Sequence, residues 1–171
     1  MCSSCDMFWT IELAKQNHRF GWAWVTLCAA LGLHVADEAS TGFLSVYNPT
    51  VIELRRALPF LIAPTFGFRE WLIGLISVDA MLFSLSPLAF RGNRLVRRLA
   101  YPFAGIMLVN GLAHIAGTIA GRTVSTVRFK RPMPGFWSSP VMIAASINLA
   151  NQSRSPRTKT FKGNLESLPG K

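Results

Sequence analysis

Three ionisable residues, His34, Asp37 and Glu38, stand close together inside an apolar stretch that runs from Phe20 to about Thr41. On a helix, offsets of three and four residues put both carboxylates on the face of the imidazole. Asn110 and His114, four residues apart, form a second polar pair in another apolar stretch, Leu99 to Gly121. Neutral imidazole together with carboxylate is a donor set for zinc, iron or manganese, and an i, i+4 pair places two donors on one ion. Without a metal, His34 and Glu38 could exchange a proton as general base and acid. Ionisable groups inside an apolar span are expensive, so each one counts as a candidate functional residue.

The elements that must position these groups follow from the distribution of apolar residues. Half of the 171 residues are hydrophobic and the mean hydropathy is +0.32, high for a water-exposed fold. The apolar residues gather into blocks at about 20–41, 71–90, 99–121 and a shorter 135–150, against the roughly 20 residues needed to cross a hydrocarbon core. The expected fold is therefore all-α, a polytopic membrane bundle of about four spans over residues 20–150. An N-terminal segment, 1–19, precedes it, and a disordered basic tail, 151–171, follows. Trp22 and Trp24 suit the interface at the start of the first span, and Pro87 should bend the end of the second. Gly105, Gly111, Ala113 and Gly117 should let neighbouring helices approach closely. Between the first two spans, Val51 to Arg56 reads as one or two surface turns and 57–68 as an interfacial or re-entrant piece.

The net charge of +10 comes from 18 Lys and Arg that lie between the blocks and in the tail. They do not alternate with aromatics on one face, so they read as topology signals and contacts to anionic membrane lipids, and nucleic-acid binding is excluded. More of them fall on the side of the termini and the 91–98 turn than on the other, which puts both termini in the cytoplasm, with the bacterial inner membrane as the expected location. The apolar run from Phe20 lacks a cleavage site and is kept as a mature span. Cys2 and Cys5 make a lone C-x-x-C that reads as a frayed terminus, since a zinc site needs further ligands. No phosphate-binding loop or haem-attachment pattern occurs.

The first and third spans run in the same direction. At 1.5 Å per residue, His34 and His114 both lie roughly 21 to 23 Å from the inner surface, so they can share a site. Asp79, in the descending second span, reaches the same layer, and Arg131, Ser138 and Ser139 should sit near its outer mouth. Each residue also has a structural reading. Asp37 could face headgroups, Asn110 could bond a neighbouring helix, Asp79 could pair with a histidine or with Arg131, and His18 beside Arg19 reads as a solvated interface residue.

His34-Val35-Ala36-Asp37-Glu38 resembles the His-x-x-Glu-Glu signature of the HXXEE domain family of small bacterial membrane proteins, with Asp37 for the first Glu. Asn110-x-x-x-His114 and Arg131-Pro132-Met133-Pro134-Gly135 are similar to that family's later polar pair and to its entry into the final helix. The resemblance covers about Trp22 to Ala150 and implies a shared polar site with no transferable activity.

The candidate metal ligands are accordingly His34, Asp37, Glu38, Asn110 and His114, and the candidate catalytic residues are Glu38, Asp79 and Arg131. The leading expectation is a divalent zinc, iron or manganese site in a membrane enzyme, a hydrolase or oxidoreductase, that takes a lipid or apolar small molecule from the bilayer. The alternatives are a small proton- or cation-coupled transporter or binding protein, and a structural membrane subunit. A homo-oligomer is compatible with four spans.

Overall fold

The computed structural model describes residues 3–60, 62–123 and 134–154, with side chains described for 10–60, 62–120 and 134–154. Among these, six helices occur in the order α1 (Ser3–Thr41), α2 (Leu44–Ala57), α3 (Phe68–Ser84), α4 (Ser86–Phe90), α5 (Arg94–Thr123) and α6 (Ser139–Ser153), with no strand. The chain is thus an all-α bundle. Residues 3–19, expected as a separate segment, continue the first span as helix, and α6 runs three residues into the expected tail. Residues 155–171 of that tail and Arg131 lie outside the described residues, as does Cys2.

Among the described residues, three stretches are long and apolar enough to cross a membrane: Thr10–Thr41, Phe68–Phe90 and Arg94–Ala120. The 23 residues of the second reach about 34 Å, against a hydrocarbon thickness of about 30 Å. Its helix α3 exposes Ile73, Ile76, Met81 and Phe83. Such a surface is costly in water and neutral against acyl chains. The shorter fourth block forms α6, whose 15 residues reach only about 22 Å.

Helix α1 is the centre of the bundle. Its Phe20, Trp24, Leu27, Cys28, Leu31 and Val35 are buried, and α3, α4 and α6 pack on it, while α5 packs chiefly on α6. The indole N–H of Trp24 donates to the Leu82 carbonyl at 3.0 Å, and its ring lies 5.4 Å from that of Phe103, so one side chain joins α1 to α3 and α5. At the same end Arg97 of α5 donates to Asn17 at 2.8 Å and to the Gln152 carbonyl at 3.3 Å, and stacks over Phe20.

Local chemistry accounts for the ends of these helices. Gly42 takes a φ of +79°, and the Phe43 N–H returns to the Glu38 carbonyl at 3.0 Å, the six-to-one bond of a Schellman stop. That stop ends the first span where its apolar pattern ends and turns Phe43 back over the bundle. Pro87 cannot donate to the carbonyl one turn earlier, and the Ser86 hydroxyl takes the Phe83 carbonyl instead at 2.6 Å. The expected bend is therefore a break between α3 and α4. Asn93 caps α5 through the Leu95 N–H at 2.8 Å.

Small residues act unevenly. A Cβ on Gly111 would lie 2.9 Å from Ile143 and 3.3 Å from the Ser139 carbonyl, so α5 and α6 approach closely there. Gly105 has nothing within 4 Å and contributes no such contact. Helix α2 is longer than the one or two turns expected. Asn48 grips the backbone of Phe66 in both directions, at 3.0 and 3.1 Å, and holds the 62–67 strip against it. Phe60 and Ile62 in the connection are 78% and 97% exposed. Exposed backbone of this kind, without helical hydrogen bonds, is not sustained in a hydrocarbon layer.

Candidate metal centre

His34 and His114 meet across α1 and α5 with ring centroids 4.8 Å apart. Between them reaches Glu38, one turn above His34, whose Oε1 is 3.0 Å from His114 Nε2 and 3.4 Å from His34 Nε2. All three side chains are buried, with residue exposures of 1% (His34), 3% (His114) and 4% (Glu38). One donor atom from each lies within 4.8 Å of the other two, so the trio could hold one metal ion. Donors on a tetrahedral zinc at about 2.0 to 2.1 Å are about 3.3 Å apart, close to the two separations here. Three protein ligands with one position left over is the pattern of catalytic zinc sites, whereas structural sites are closed.

The floor of the centre comes from the 134–138 turn that leads into α6. Gly135 has φ +82°, and a Cβ there would lie 2.8 Å from His34 Cε1 and 2.9 Å from both Cε1 and Nδ1 of His114. Both imidazoles therefore rest on a bare Cα, which only glycine supplies. The turn lies at the level of His34, about 10 Å below the end of α1 at 1.5 Å per residue. Part of its backbone is tied to protein groups. The Gly135 carbonyl accepts from the Ser138 and Ser139 hydroxyls at 3.1 and 2.6 Å, and the Ser138 N–H donates to Asp37 Oδ2 at 3.0 Å. Irregular backbone at membrane depth is tolerated under that condition. Above the centre, Phe43 lies 5.7 Å from the His114 ring and 5.8 Å from Trp71, an aromatic roof made by the Gly42 stop.

The electrostatics of the trio suit a cation. His34 Nδ1 is 2.8 Å from the Ser138 hydroxyl, and Asn110 Nδ2 is 3.0 Å from His34 Nε2. The Asn110 amide can only donate from that nitrogen, so Nε2 offers its lone pair. His34 Nε2 also lies 3.4 Å from Glu38 Oε1, and a metal ion between them would take the lone pair in place of the Asn110 amide. Asp37 and Glu38 have no Lys or Arg ion partner among the described residues. Buried carboxylates are normally paired or bound to metal. His114 Nδ1 is buried with no hydrogen-bond partner.

The sequence-based candidates separate on this geometry. His34, Glu38 and His114 form the donor trio, and Asn110 stands beside it. Asp37 turns away from the donors and holds Ser138 through its N–H and its hydroxyl, at 3.0 and 2.9 Å. The physical reason is spacing: at i+3 its carboxylate leans toward α6, whereas Glu38 at i+4 lies above His34. Asp79 is not brought into the group. Its Oδ2 is 3.1 Å from the place of a Gly32 Cβ, and Gly32 and His34, two residues apart, point to opposite flanks of α1. Its Oδ1 is buried without a partner. Ser138, expected at the outer mouth, is 3% exposed beside His34. Ser138 and Gly135 belong to the site although neither was a candidate ligand. The available signal was Pro134-Gly135 followed by Ser138-Ser139-Pro140, a tight turn running into a helix start with proline in its first turn.

No protein-family model, curated protein or solved structure matches this chain.

Proposed function

We propose that the chain is a metal-dependent membrane enzyme acting on a lipid or another apolar substrate that enters from the bilayer. The observation that carries this reading is the buried His34, Glu38 and His114 trio, with donor separations suited to one ion. A divalent ion there would act as a Lewis acid and lower the pKa of a water it binds. His34 and His114 would hold the ion, and Glu38 would serve as ligand or as general base toward water. Asn110 would donate a hydrogen bond to a developing oxyanion near His34 Nε2. Hydrolysis is the reaction for which these side chains carry the parts themselves. Zinc, iron and manganese all suit the donor set.

The surroundings support the substrate class. The centre lies inside a bundle whose α3 faces lipid along most of its surface, under the aromatic roof of Phe43 and Trp71. The same reading puts the chain with the HXXEE domain family, in the bacterial inner membrane with cytoplasmic termini. A second reading, a proton- or cation-coupled carrier, is favoured by Asp79, a carboxyl in a spanning helix with one buried oxygen unpartnered.

Elemental analysis of detergent-purified protein tests the proposal. Near-stoichiometric zinc, iron or manganese should be present, and should be lost in a folded His34→Ala, His114→Ala double variant. Protein with metal is then incubated with bilayer lipids and the products identified by mass spectrometry, with Glu38→Gln expected to abolish turnover. Absence of metal after reconstitution with all three ions would remove the enzyme reading. Full metal occupancy with pH-coupled transport in vesicles and no product would favour the carrier.

A further inference from the structure

We infer that Ser138 is a positioning residue, anchored by Asp37, that holds His34 as its Nδ1–H tautomer so that Nε2 turns its lone pair to the donor trio. The argument is a count of protons. The Ser138 hydroxyl has one hydrogen and three neighbours: Asp37 Oδ2 at 2.9 Å, the Gly135 carbonyl at 3.1 Å and His34 Nδ1 at 2.8 Å. A carboxylate oxygen and a carbonyl oxygen can only accept, so the single hydrogen goes to one of them. Toward His34 the hydroxyl oxygen is then an acceptor, and Nδ1 must carry the proton. At the opposite nitrogen Asn110 Nδ2 lies 3.0 Å from Nε2 and donates to it; an amide turned over offers its oxygen instead, so Asn110 follows the tautomer that Ser138 sets.

Asp37 strengthens this arrangement in two ways. It takes both the N–H and the hydroxyl of Ser138, which pins the residue at the start of α6. Its negative charge also draws the hydroxyl proton away from His34, which makes the serine oxygen a better acceptor for Nδ1–H. Carboxylate, serine and imidazole thus form a chain running from α1 through α6 and back to α1. The Gly135 carbonyl can replace Asp37 as acceptor, so the tautomer depends on Ser138 first and on Asp37 second.

Only the consequence for metal rests on the metal-centre reading, and the test separates the two. The chain has three histidines, which keeps the 15N spectrum of imidazole-labelled protein in nanodiscs simple. After treatment with chelator, His34 should show a protonated Nδ1 and a bare Nε2. Ser138→Ala keeps the backbone bond to Asp37 and should shift His34 toward the Nε2–H form. Ser138→Thr, which retains the hydroxyl, should restore the native pattern. Asp37→Asn should move it less than Ser138→Ala. If Nε2 is the ligand, metal affinity falls by roughly 10 to 100-fold in Ser138→Ala and recovers in Ser138→Thr.

An unchanged His34 pattern in Ser138→Ala overturns the inference, whether or not metal binds. A changed pattern in a protein that never binds metal upholds it while removing the enzyme reading. A loss of affinity that Ser138→Thr does not recover, with the tautomer unaltered, identifies Ser138 as a packing residue and also overturns the inference.

Discussion

Replacing Gly135 by alanine should damage the centre without removing a single donor atom. The new Cβ would lie 2.8 Å from His34 Cε1 and 2.9 Å from Cε1 and Nδ1 of His114. Carbon atoms attract at about 3.5 Å, so the rings must retreat by roughly 0.6 Å. Metal distances tolerate only about 0.2 Å. Two costs add: about 1 to 2 kcal/mol for a non-glycine residue at the left-handed φ, and about 1 to 3 kcal/mol for overpacking. A loss near 3 kcal/mol and at least a tenfold weaker metal affinity are expected. Gly105→Ala is the control on the same chain, because nothing lies within 4 Å of its Cβ position and alanine favours the helix by about 1 kcal/mol. The assay is titration with Co2+ against a competing chelator, followed by its absorption bands, alongside thermal melting in detergent. A Gly135→Ala protein that binds Co2+ within about twofold of the parent and melts with it would refute the packing argument.

Three further outcomes follow from the same structure. Metal affinity should rise with pH, because protons compete with the ion for the donor atoms of His34, Glu38 and His114; titration against a competing chelator at several pH values would show it, whereas pH-independent binding would point to other ligands. Asp79→Asn should leave metal stoichiometry unaltered and preserve or raise the melting temperature, since Asp79 faces Gly32 and its buried Oδ1 has no partner to lose; loss of metal in that variant would return Asp79 to the centre. Trp24→Phe should cost about 1 kcal/mol through the bond to the Leu82 carbonyl, and an unchanged melting temperature would show that α1 and α3 are held by apolar packing alone.

Much of the scaffold is written locally. The apolar block before Gly42 marks the end of α1, because a left-handed glycine after a helical run is a stop that needs no partner. The i, i+4 spacing of His34 with Glu38 and of Asn110 with His114 put each pair on one face, and equal rise along two parallel spans put the histidines at one depth. Those are properties of single helices, and a helix has the same pitch wherever it packs.

Tertiary packing decided what single helices cannot express. Asp37 and Asp79 both read as members of the polar cluster, and rotation about the helix axes sent one to Ser138 and the other to Gly32. Rotation is set by the side chains of the neighbouring helix, which lie far off in sequence. Ser138 and Gly135 entered the centre because α6 begins inside the bundle, at the level of His34. Its start is held there by a carboxylate from α1 and by two imidazoles resting on a Cα. The amino-acid sequence by itself determined an apolar helical chain with paired donors at matching depth. Only the packing of three helices around Gly135 decided which of those donors converge, because convergence depends on the relative rotation and height of elements that local spacing leaves free.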